Sequence, residues 1–243
     1  MIQVQDLKKD FYVGEITVHA LKGVNLEIKE GDFIAIMGTS GSGKSTMLNI
    51  LGCLDKPTSG RYMLDGVNVN ELNKNQLAAL RNNKLGFVFQ SYNLLARTTA
   101  LENVELPLYY NNEVKAKERV ERAKEALHAV GLSVRMHHMP NQMSGGQQQR
   151  VAIARSLVND PVVILADEAT GNLDTRTSFE IMDLLQKLNQ QGKTIVFVTH
   201  EPDIASCIPH NVVFRDGHII REESVQNVKS AEQLLRALPV DQD

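Results

Sequence analysis

The sequence predicts an α/β fold in which a mixed sheet has an antiparallel β layer at its edge and an inserted α-helical subdomain. Apolar runs rich in β-branched residues each precede a helical pattern, which is typical of parallel strands with crossover helices. These runs are residues 33–37, 162–166 and 194–198. Residues 2–7 and 18–28 alternate instead between apolar and polar, which predicts antiparallel strands, as does the turn sequence RDGHII.

The third observation is the helical character of residues 100–161, where no strand pattern occurs. Residues 115–130 have an apolar face with charges opposite it. This face consists of Val120, Ala123, Leu127 and Val130. Such a face predicts an amphipathic helix that packs against its neighbours. We therefore expect a helical subdomain inserted into the α/β core.

These patterns predict the organisation of the whole chain, residues 1–243, as one domain. The parts we expect are a core formed by residues 1–95 and 161–225, a helical subdomain at 96–160 and a tail at 226–243. Within the tail, residues 230–238 predict a short amphipathic helix that packs as a cap.

The composition is that of an ordinary globular protein. The chain has 42% hydrophobic and 23% charged residues, and its net charge of −3 argues against general affinity for nucleic acid. Its two cysteines, Cys53 and Cys207, have no metal-like spacing, so we expect buried or idle thiols in a reducing compartment. The start of the chain lacks the apolar core of a signal peptide, and no stretch reaches the length of a membrane span. We expect a cytoplasmic protein that forms no membrane path itself.

The sequence GTSGSGKST fits the pattern G-x-x-x-x-G-K-[ST] between a predicted strand and a predicted helix at residues 45–54. We expect a phosphate-binding loop formed by Gly38, Thr39, Ser40, Gly41, Ser42, Gly43, Lys44, Ser45 and Thr46. The glycines permit backbone angles that turn several N–H groups toward one anion. Lys44 brings a mobile positive charge to the β- and γ-phosphates, and the Ser45 hydroxyl is suited to Mg²⁺.

The segment VVILADEATGNLD, residues 162–174, begins with an apolar run that is followed directly by two adjacent acids. Asp167 is placed to hold Mg²⁺ through water, and Glu168 is expected to point the other way, as alternation along an extended segment requires. That placement suits a base acting on water that attacks the γ-phosphate; the alternative is an ordinary solvated strand end. His200 and Gln90 also follow predicted strands, although each alone is more often structural.

The sequence MSGGQQQR, residues 143–150, predicts a second helix whose N-terminus is suited to bind phosphate. Ser144 is the predicted cap, and Gly145, Gly146 and Gln147 follow it in the first turn. Unpaired N–H groups and the helix dipole favour an anion at such a start.

Together these motifs, with GNLD, resemble the ATP-binding subunits of ABC transporters over about residues 2–222, in the family's order and spacing. The resemblance implies a P-loop NTPase (RecA-like) core, ATP and Mg²⁺ as cofactors, ATP hydrolysis, and a homodimer that sandwiches two ATP molecules. It implies that Ser144, Gly145, Gly146 and Gln147 bind ATP held by the partner copy.

The resemblance assigns roles to further residues. Gln90 would contact Mg²⁺ or the attacking water and sense the membrane partner, and Asp174 would cross the dimer interface. Phe11 would stack on adenine; Tyr12 is the second candidate, and a plain core aromatic is the alternative. Stacking reads the ring face, so GTP also fits. Ala169 stands where the family usually has proline, and we expect only modest consequences.

Phrases such as LGCLDKPTSG, GFVFQSYNLL and ALENVELPL resemble the MacB-like exporter and lipoprotein-releasing branch. This implies a subunit bound to the cytoplasmic face of the inner membrane, a membrane partner, and periplasmic or outer-membrane components reached through it. Tyr92, Leu94 and Leu95 are the expected docking surface for a permease helix, near Gln90; the alternative is that these leucines only pack the subdomain. A solute importer is the main alternative function, followed by a non-transport ABC ATPase. A kinase or small GTPase is a third alternative, which we discount because it would need neither the SGGQ motif nor a dimer.

Overall fold

The structure, a computed structural model, describes residues 1–111 and 114–239. Ten strands are described: β1 (Ile2–Val13), β2 (Ile16–Ile28), β3 (Phe33–Gly38), β4 (Ser59–Leu64), β5 (Val67–Asn68), β6 (Leu85–Phe89), β7 (Val163–Asp167), β8 (Thr194–Val198), β9 (His210–Arg215) and β10 (His218–Ser224). Eight α-helices are described: α1 (Lys44–Leu51), α2 (Lys74–Lys84), α3 (Ala100–Glu105), α4 (Ala116–Ala129), α5 (Gly145–Leu157), α6 (Thr175–Gln190), α7 (Pro202–Ala205) and α8 (Ala231–Ala237).

The main sheet has six strands in the order β10-β9-β3-β8-β7-β6. Its five strands from β9 to β6 are parallel, and β10 pairs antiparallel with β9. The sheet is therefore mixed, as predicted. The turn of RDGHII was expected with the antiparallel layer, but it joins β9 to β10 at the edge of the main sheet. Asp216 and Gly217 have φ of 49° and 83°, the left-handed conformation that a tight two-residue hairpin requires.

A second, four-stranded antiparallel sheet has the order β2-β1-β4-β5. Its β1–β2 hairpin is longer than predicted, because pairing continues beyond residue 7 to Val13 and begins again at Ile16. The inward faces of the two sheets enclose α1 in one apolar cluster that includes Ile36, Met47 and Tyr62. The Tyr62 hydroxyl donates to the Leu51 carbonyl at 2.6 Å, so α1 is fixed to the small sheet. The predicted α/β fold class is confirmed.

Helices fill the described part of residues 100–161, which contains no strand. On α4, Ala123 and Leu127 are buried, Val130 at its end is buried, and Val120 is half-buried. A second apolar cluster, on the other face of the main sheet, includes Ala123, Leu127 and Val130. The helix predicted at residues 45–54 ends earlier, at Leu51, because Gly52 terminates it and Cys53 turns left-handed with φ of 53°.

The tail forms α8, which packs on α6 through its buried Ala231 and the half-buried Leu234 and Leu235. Gln186 of α6 accepts from the Ala231 N–H at 3.0 Å. The last four residues of the predicted tail, 240–243, lie outside the residues that the structure describes. Within the part of the chain that the structure describes, no helix has the length and apolar character needed to cross a membrane.

Candidate nucleotide site

The predicted phosphate loop connects β3 to α1. Gly38, Gly41 and Gly43 all have positive φ, at 146°, 77° and 109°, so the three glycines adopt the backbone angles expected of them. A Cβ on Gly38 would lie 2.3 Å from the Phe214 carbonyl oxygen, and one on Gly43 would lie 2.8 Å from that of Ala20. Only glycine fits both places, so the loop is shaped by close backbone approach.

Seven of the nine loop residues line an open cavity of about 890 Å³, namely Thr39, Ser40, Gly41, Gly43, Lys44, Ser45 and Thr46. Lys44 is 6% exposed, and its ammonium donates to the carbonyls of Gly38 and Thr39 at 2.8 and 2.9 Å. Ser42 is buried beneath the loop, and its N–H donates to Thr39 at 3.2 Å. Ser42 therefore supports the turn, while its neighbours Gly41 and Gly43 line the cavity.

The other walls of this cavity come from three places that the motif does not include. They are Val18, His19, Ala20 and Lys22 on β2, Glu168 and His200 after β7 and β8, and Asp216 with Gly217 in the β9–β10 turn. The β2 and turn residues were not predicted, because no spacing in the sequence connects them to the loop. The cavity combines a phosphate loop, several charged or titratable side chains and the apolar residues Val18 and Ala20 of β2, a combination that suits a nucleoside phosphate.

Glu168 and His200 meet at the carboxyl ends of β7 and β8. His200 Nδ1 lies 3.2 Å from Glu168 Oε1, so the imidazole can hold this carboxylate in place. The reason given for the orientation of Glu168 was wrong: β7 ends at Asp167, and Glu168 has a left-handed φ of 45°. A hydrogen bond of 3.0 Å from its N–H to the Val198 carbonyl fixes this conformation. The turn, rather than strand alternation, directs Glu168 into the cavity.

Asp167 is partly buried at the end of β7 beside Lys44 and Glu168. Burial, with the charge of Glu168 as the second cause, raises the pKa of the Asp167 carboxyl, and Lys44 counteracts part of the shift. A cation bound beside Asp167 would therefore stabilise the ionised form of its carboxyl group.

The donor set fits Mg²⁺. Ser45 brings a hydroxyl and Asp167 a carboxylate, both hard oxygen ligands. Among residues 1–111 and 114–239, no cluster of three or more His, Cys, Asp or Glu side chains forms a metal site. Gln90, the third predicted metal residue, donates instead to Asn172 Oδ1 at 3.2 Å, and its carbonyl accepts from Asn172 at 3.1 Å.

Ser144 caps α5, as predicted. Its hydroxyl accepts from the Gln147 N–H at 3.3 Å, and Gln147 Oε1 accepts from the Ser144 N–H at 3.1 Å, so the two form a capping box. A Cβ on Gly146 would lie 2.4 Å from Thr177 Cγ2, and one on Gly145 would lie 2.8 Å from the Tyr92 hydroxyl. The two glycines therefore let α5 begin close against its neighbours.

Asp174 lies behind this helix start. It caps α6, where its carboxylate accepts from the N–H and the hydroxyl of Thr177 at 2.9 and 2.5 Å. The hydroxyl is the larger cause, and both bonds lower the pKa of the Asp174 carboxyl. Thr177 thus connects Asp174 to Gly146. None of the described residues that line the Lys44 cavity comes from residues 143–150 or from Asp174.

Phe11 lies on β1 opposite Val18, which lines the cavity. Its ring is partly exposed, and the Lys9 ammonium lies 4.9 Å from the ring centroid. Lys9 is itself held by Asp55 at 2.7 Å, so one face of the ring is covered by a fixed cation. Tyr12 pairs with Thr17 and, by strand alternation, occupies the opposite face of the hairpin.

Comparison with known proteins identifies the family of this chain. A family model described as ABC transporter matches residues 21–171. An uncharacterised ABC transporter ATP-binding protein of Thermotoga maritima is 57% identical over 222 residues, covering 90% of this chain and 93% of that protein. A solved dimeric structure of the ATP-binding cassette MJ0796, in a post-hydrolysis state with ADP and Pi, has a TM-score of 0.85 and 50% identity. That similarity covers 93% of this chain and 99% of the other.

A longer relative is the macrolide export ATP-binding/permease protein MacB of Syntrophobacter fumaroxidans, which is 52% identical over 226 residues. The similarity covers 92% of this chain but 32% of that protein, so the chain spans about a third of this relative. The resemblance inferred from the motifs is confirmed, and the chain belongs to the ABC transporter family.

Proposed function

We propose that this chain is the ATP-hydrolysing subunit of a transporter, and that two copies sandwich two ATP molecules to move a MacB-like membrane subunit. The observation that supports this most directly is the separation of two phosphate-binding helix starts in one chain. Lys44 at the start of α1 faces the nucleotide cavity, whereas Ser144 at the start of α5 lies outside it. A second copy in head-to-tail orientation would bring its Ser144 to the open side of the cavity.

In this proposal the loop N–H groups and Lys44 bind the β- and γ-phosphates. Lys44 would exchange its two carbonyl acceptors for phosphate oxygens, which carry more charge. Mg²⁺, held by Ser45 and Asp167, would supply charge neutralisation of the phosphates. Positive charge there would also offset the burial that disfavours the Asp167 carboxylate.

We assign to Glu168 the role of the base that acts on the attacking water. Its carboxylate accepts from His200 Nδ1, so its other oxygen is available to a water molecule in front of the γ-phosphate. Glu168 takes the water proton as the new oxygen–phosphorus bond forms. The bond from the γ-phosphorus to the bridging oxygen breaks at the same time, so ADP leaves with that oxygen and inorganic phosphate is released. His200 keeps the carboxylate directed into the cavity. A hydrogen bond from the other ring nitrogen of His200 to a γ-phosphate oxygen would require the imidazolium form, in which both nitrogens donate.

The roles of Gln90 and Asp174 are proposals of the same kind. The Gln90–Asn172 pair joins the end of β6 to the GNLD segment, and that segment leads into Asp174. A shift of Gln90 caused by a membrane partner would therefore reach a residue that we place at the dimer interface. Phe11, with one face covered by Lys9, offers its other face to adenine.

A groove of about 730 Å³ beside residues 90–95 is the proposed seat of the membrane subunit. Leu54 and Tyr110, 51% and 73% exposed, form its apolar rim, and Arg81 and Arg155 add positive charge. A short amphipathic helix with an acidic residue fits this surface. MacB joins an ATP-binding part and a permease in one chain by name, which supports a permease as the occupant. The subunit would then lie peripherally on the cytoplasmic face of the membrane.

The three residues first proposed for docking differ in exposure. Leu94 packs against the buried cluster under the helices, so its replacement by Asp would test folding rather than docking. Leu95 is exposed, and Tyr92 lies half-buried beside Gly145. Arg155 fixes this segment by donating to the carbonyls of Tyr92 and Asn93.

Partner capture tests the proposed transporter. Tagged Glu168→Gln protein is bound to gently solubilised membranes with Mg·ATP, and the co-purifying proteins are identified. A membrane protein with few helices and a large extracytoplasmic domain is expected. A permease with many helices, together with a solute-binding protein, would favour the importer, and soluble partners alone would contradict a transport role.

The groove is tested in the same assay. Leu54→Asp should abolish capture and leave basal ATP turnover within about twofold, since its side chain lies on the groove rim. Val134→Asp, at an exposed position in the helical part, is the matched control and should capture normally. Equal capture by both variants would exclude the groove as the docking surface.

A further inference from the structure

His19 lines the nucleotide cavity although no motif includes it. It lies on β2, and its side chain is 59% exposed. None of the roles proposed above uses it. The position is therefore a candidate for a contact that is particular to this chain.

The ring of His19 is oriented by Asp10. His19 Nδ1 lies 2.7 Å from Asp10 Oδ1, and an ionised carboxylate can only accept, so Nδ1 carries the proton and donates. In the neutral imidazole this leaves Nε2 as an acceptor, on the side of the ring away from Asp10.

Asp10 is itself anchored. The β1–β2 register shifts between Lys9 and Asp10, and the Asp10 N–H donates to the Thr58 hydroxyl at 2.9 Å. Its carboxylate is mostly shielded, whereas the imidazole is largely exposed. The irregularity thus presents a fixed carboxylate to His19, and its role is one of positioning.

The location of His19 along the cavity indicates which part of a nucleotide it meets. Val18, one residue before it, pairs with Phe11, the proposed base platform. Ala20, one residue after it, has its carbonyl oxygen 2.8 Å from where a Cβ of Gly43 would be, so β2 meets the phosphate loop there. Along β2, His19 thus lies between the position paired with Phe11 and the position that meets the phosphate loop, and the sugar of a nucleotide bound in the cavity would span this stretch.

The sugar also has the matching chemistry. Its hydroxyls can donate to a nitrogen acceptor, whereas phosphate oxygens at neutral pH only accept. We propose that His19, positioned by Asp10, accepts a hydrogen bond from a ribose hydroxyl and makes the site prefer ribonucleotides to deoxyribonucleotides. This inference rests on the proposed function, since it requires a nucleotide in the Lys44 cavity.

The test compares dissociation constants of ATP, 2′-deoxy-ATP and 3′-deoxy-ATP by calorimetry in a Glu168→Gln background, which limits hydrolysis. The unmodified site should bind ATP about three- to tenfold more tightly than the analogue that lacks the contacted hydroxyl, as one hydrogen bond predicts. His19→Phe, which keeps a ring without an acceptor, should bind all three equally. Asp10→Ala should lose most of the preference. His128→Ala, at an exposed histidine hydrogen-bonded to Ser133, should retain it.

Two outcomes would overturn the inference. One is an unchanged sugar preference in His19→Phe, and the other is no preference before mutation although ATP binds. Lys44→Ala separates these from failure of the proposed function. If ATP binds before mutation and Lys44→Ala abolishes binding, the nucleotide site stands whatever His19 does. If ATP does not bind, or Lys44→Ala binds it unchanged, the proposed function itself fails.

Discussion

Ser144 has two proposed roles that substitution can separate, namely the cap of α5 and the contact with the partner's ATP. Ser144→Ala removes the hydroxyl that accepts from the Gln147 N–H. Loss of such a cap costs about 1 kcal/mol, or about 2–4 °C in Tm for a chain of this size. Loss of a hydrogen bond to a charged phosphate costs about 1.5–3 kcal/mol, so ATP turnover should fall on the order of tenfold or more.

Ser144→Asp distinguishes the two roles. Aspartate caps a helix as well as serine and suits its dipole, so the Tm should remain within about 1 °C of the original. Its negative charge would, however, face the partner's triphosphate, so turnover should fall further than in Ser144→Ala. The assay pairs thermal unfolding without nucleotide with steady-state phosphate release.

Asn73→Ala is the matched control. Asn73 forms the same capping box with Gln76 at the start of α2, with hydrogen bonds of 3.0 and 2.9 Å. Asn73→Ala should lower the Tm by about 2–4 °C, as Ser144→Ala does, and leave ATP turnover unchanged. Turnover of Ser144→Asp equal to that of the original protein would refute a role of this helix start in binding ATP.

Three further substitutions have defined outcomes. Gly38→Ala should lower the Tm and abolish ATP binding by calorimetry, because its Cβ would lie 2.3 Å from a backbone oxygen; normal binding would show that the loop adjusts. Asp167→Asn should raise the Tm of the nucleotide-free protein at pH 7. The raised pKa of Asp167 means that ionisation opposes folding, so the gain should vanish as pH falls below the ordinary Asp pKa, about 4; a lower Tm at pH 7 would contradict this. Ala169→Pro should change phosphate release by less than about threefold, since Asp167 and His200 keep their places, and a larger change would show that φ after Glu168 controls the rate.

The strands and motifs of the core could be read from the sequence because each has a local signal. Strand β8 occupies the predicted residues 194–198, and Ser144 caps its helix as the spacing indicated. Strands β4 and β5 and helix α2 were not predicted. The Asp65–Gly66 pair between the two strands is a hairpin signal that could have revealed β4 and β5.

The site depends more on contacts between distant segments, which leave no local pattern. Gln90 and Asn172 are 82 positions apart, and their pairing follows from the order of β6 and β7 in the sheet. Glu168 enters the cavity through a left-handed turn held by Val198, which alternation could not indicate. His19 reaches the cavity because a hairpin of the second sheet leans on the phosphate loop.

The most direct test of the central claim is the mass of Glu168→Gln protein in solution, measured by sedimentation with and without Mg·ATP. Removing the proton acceptor should prevent hydrolysis while leaving both phosphate-binding helix starts intact. The account predicts one chain mass without nucleotide and twice that mass with Mg·ATP. A single chain mass at high protein concentration with saturating Mg·ATP would contradict the proposed ATP sandwich.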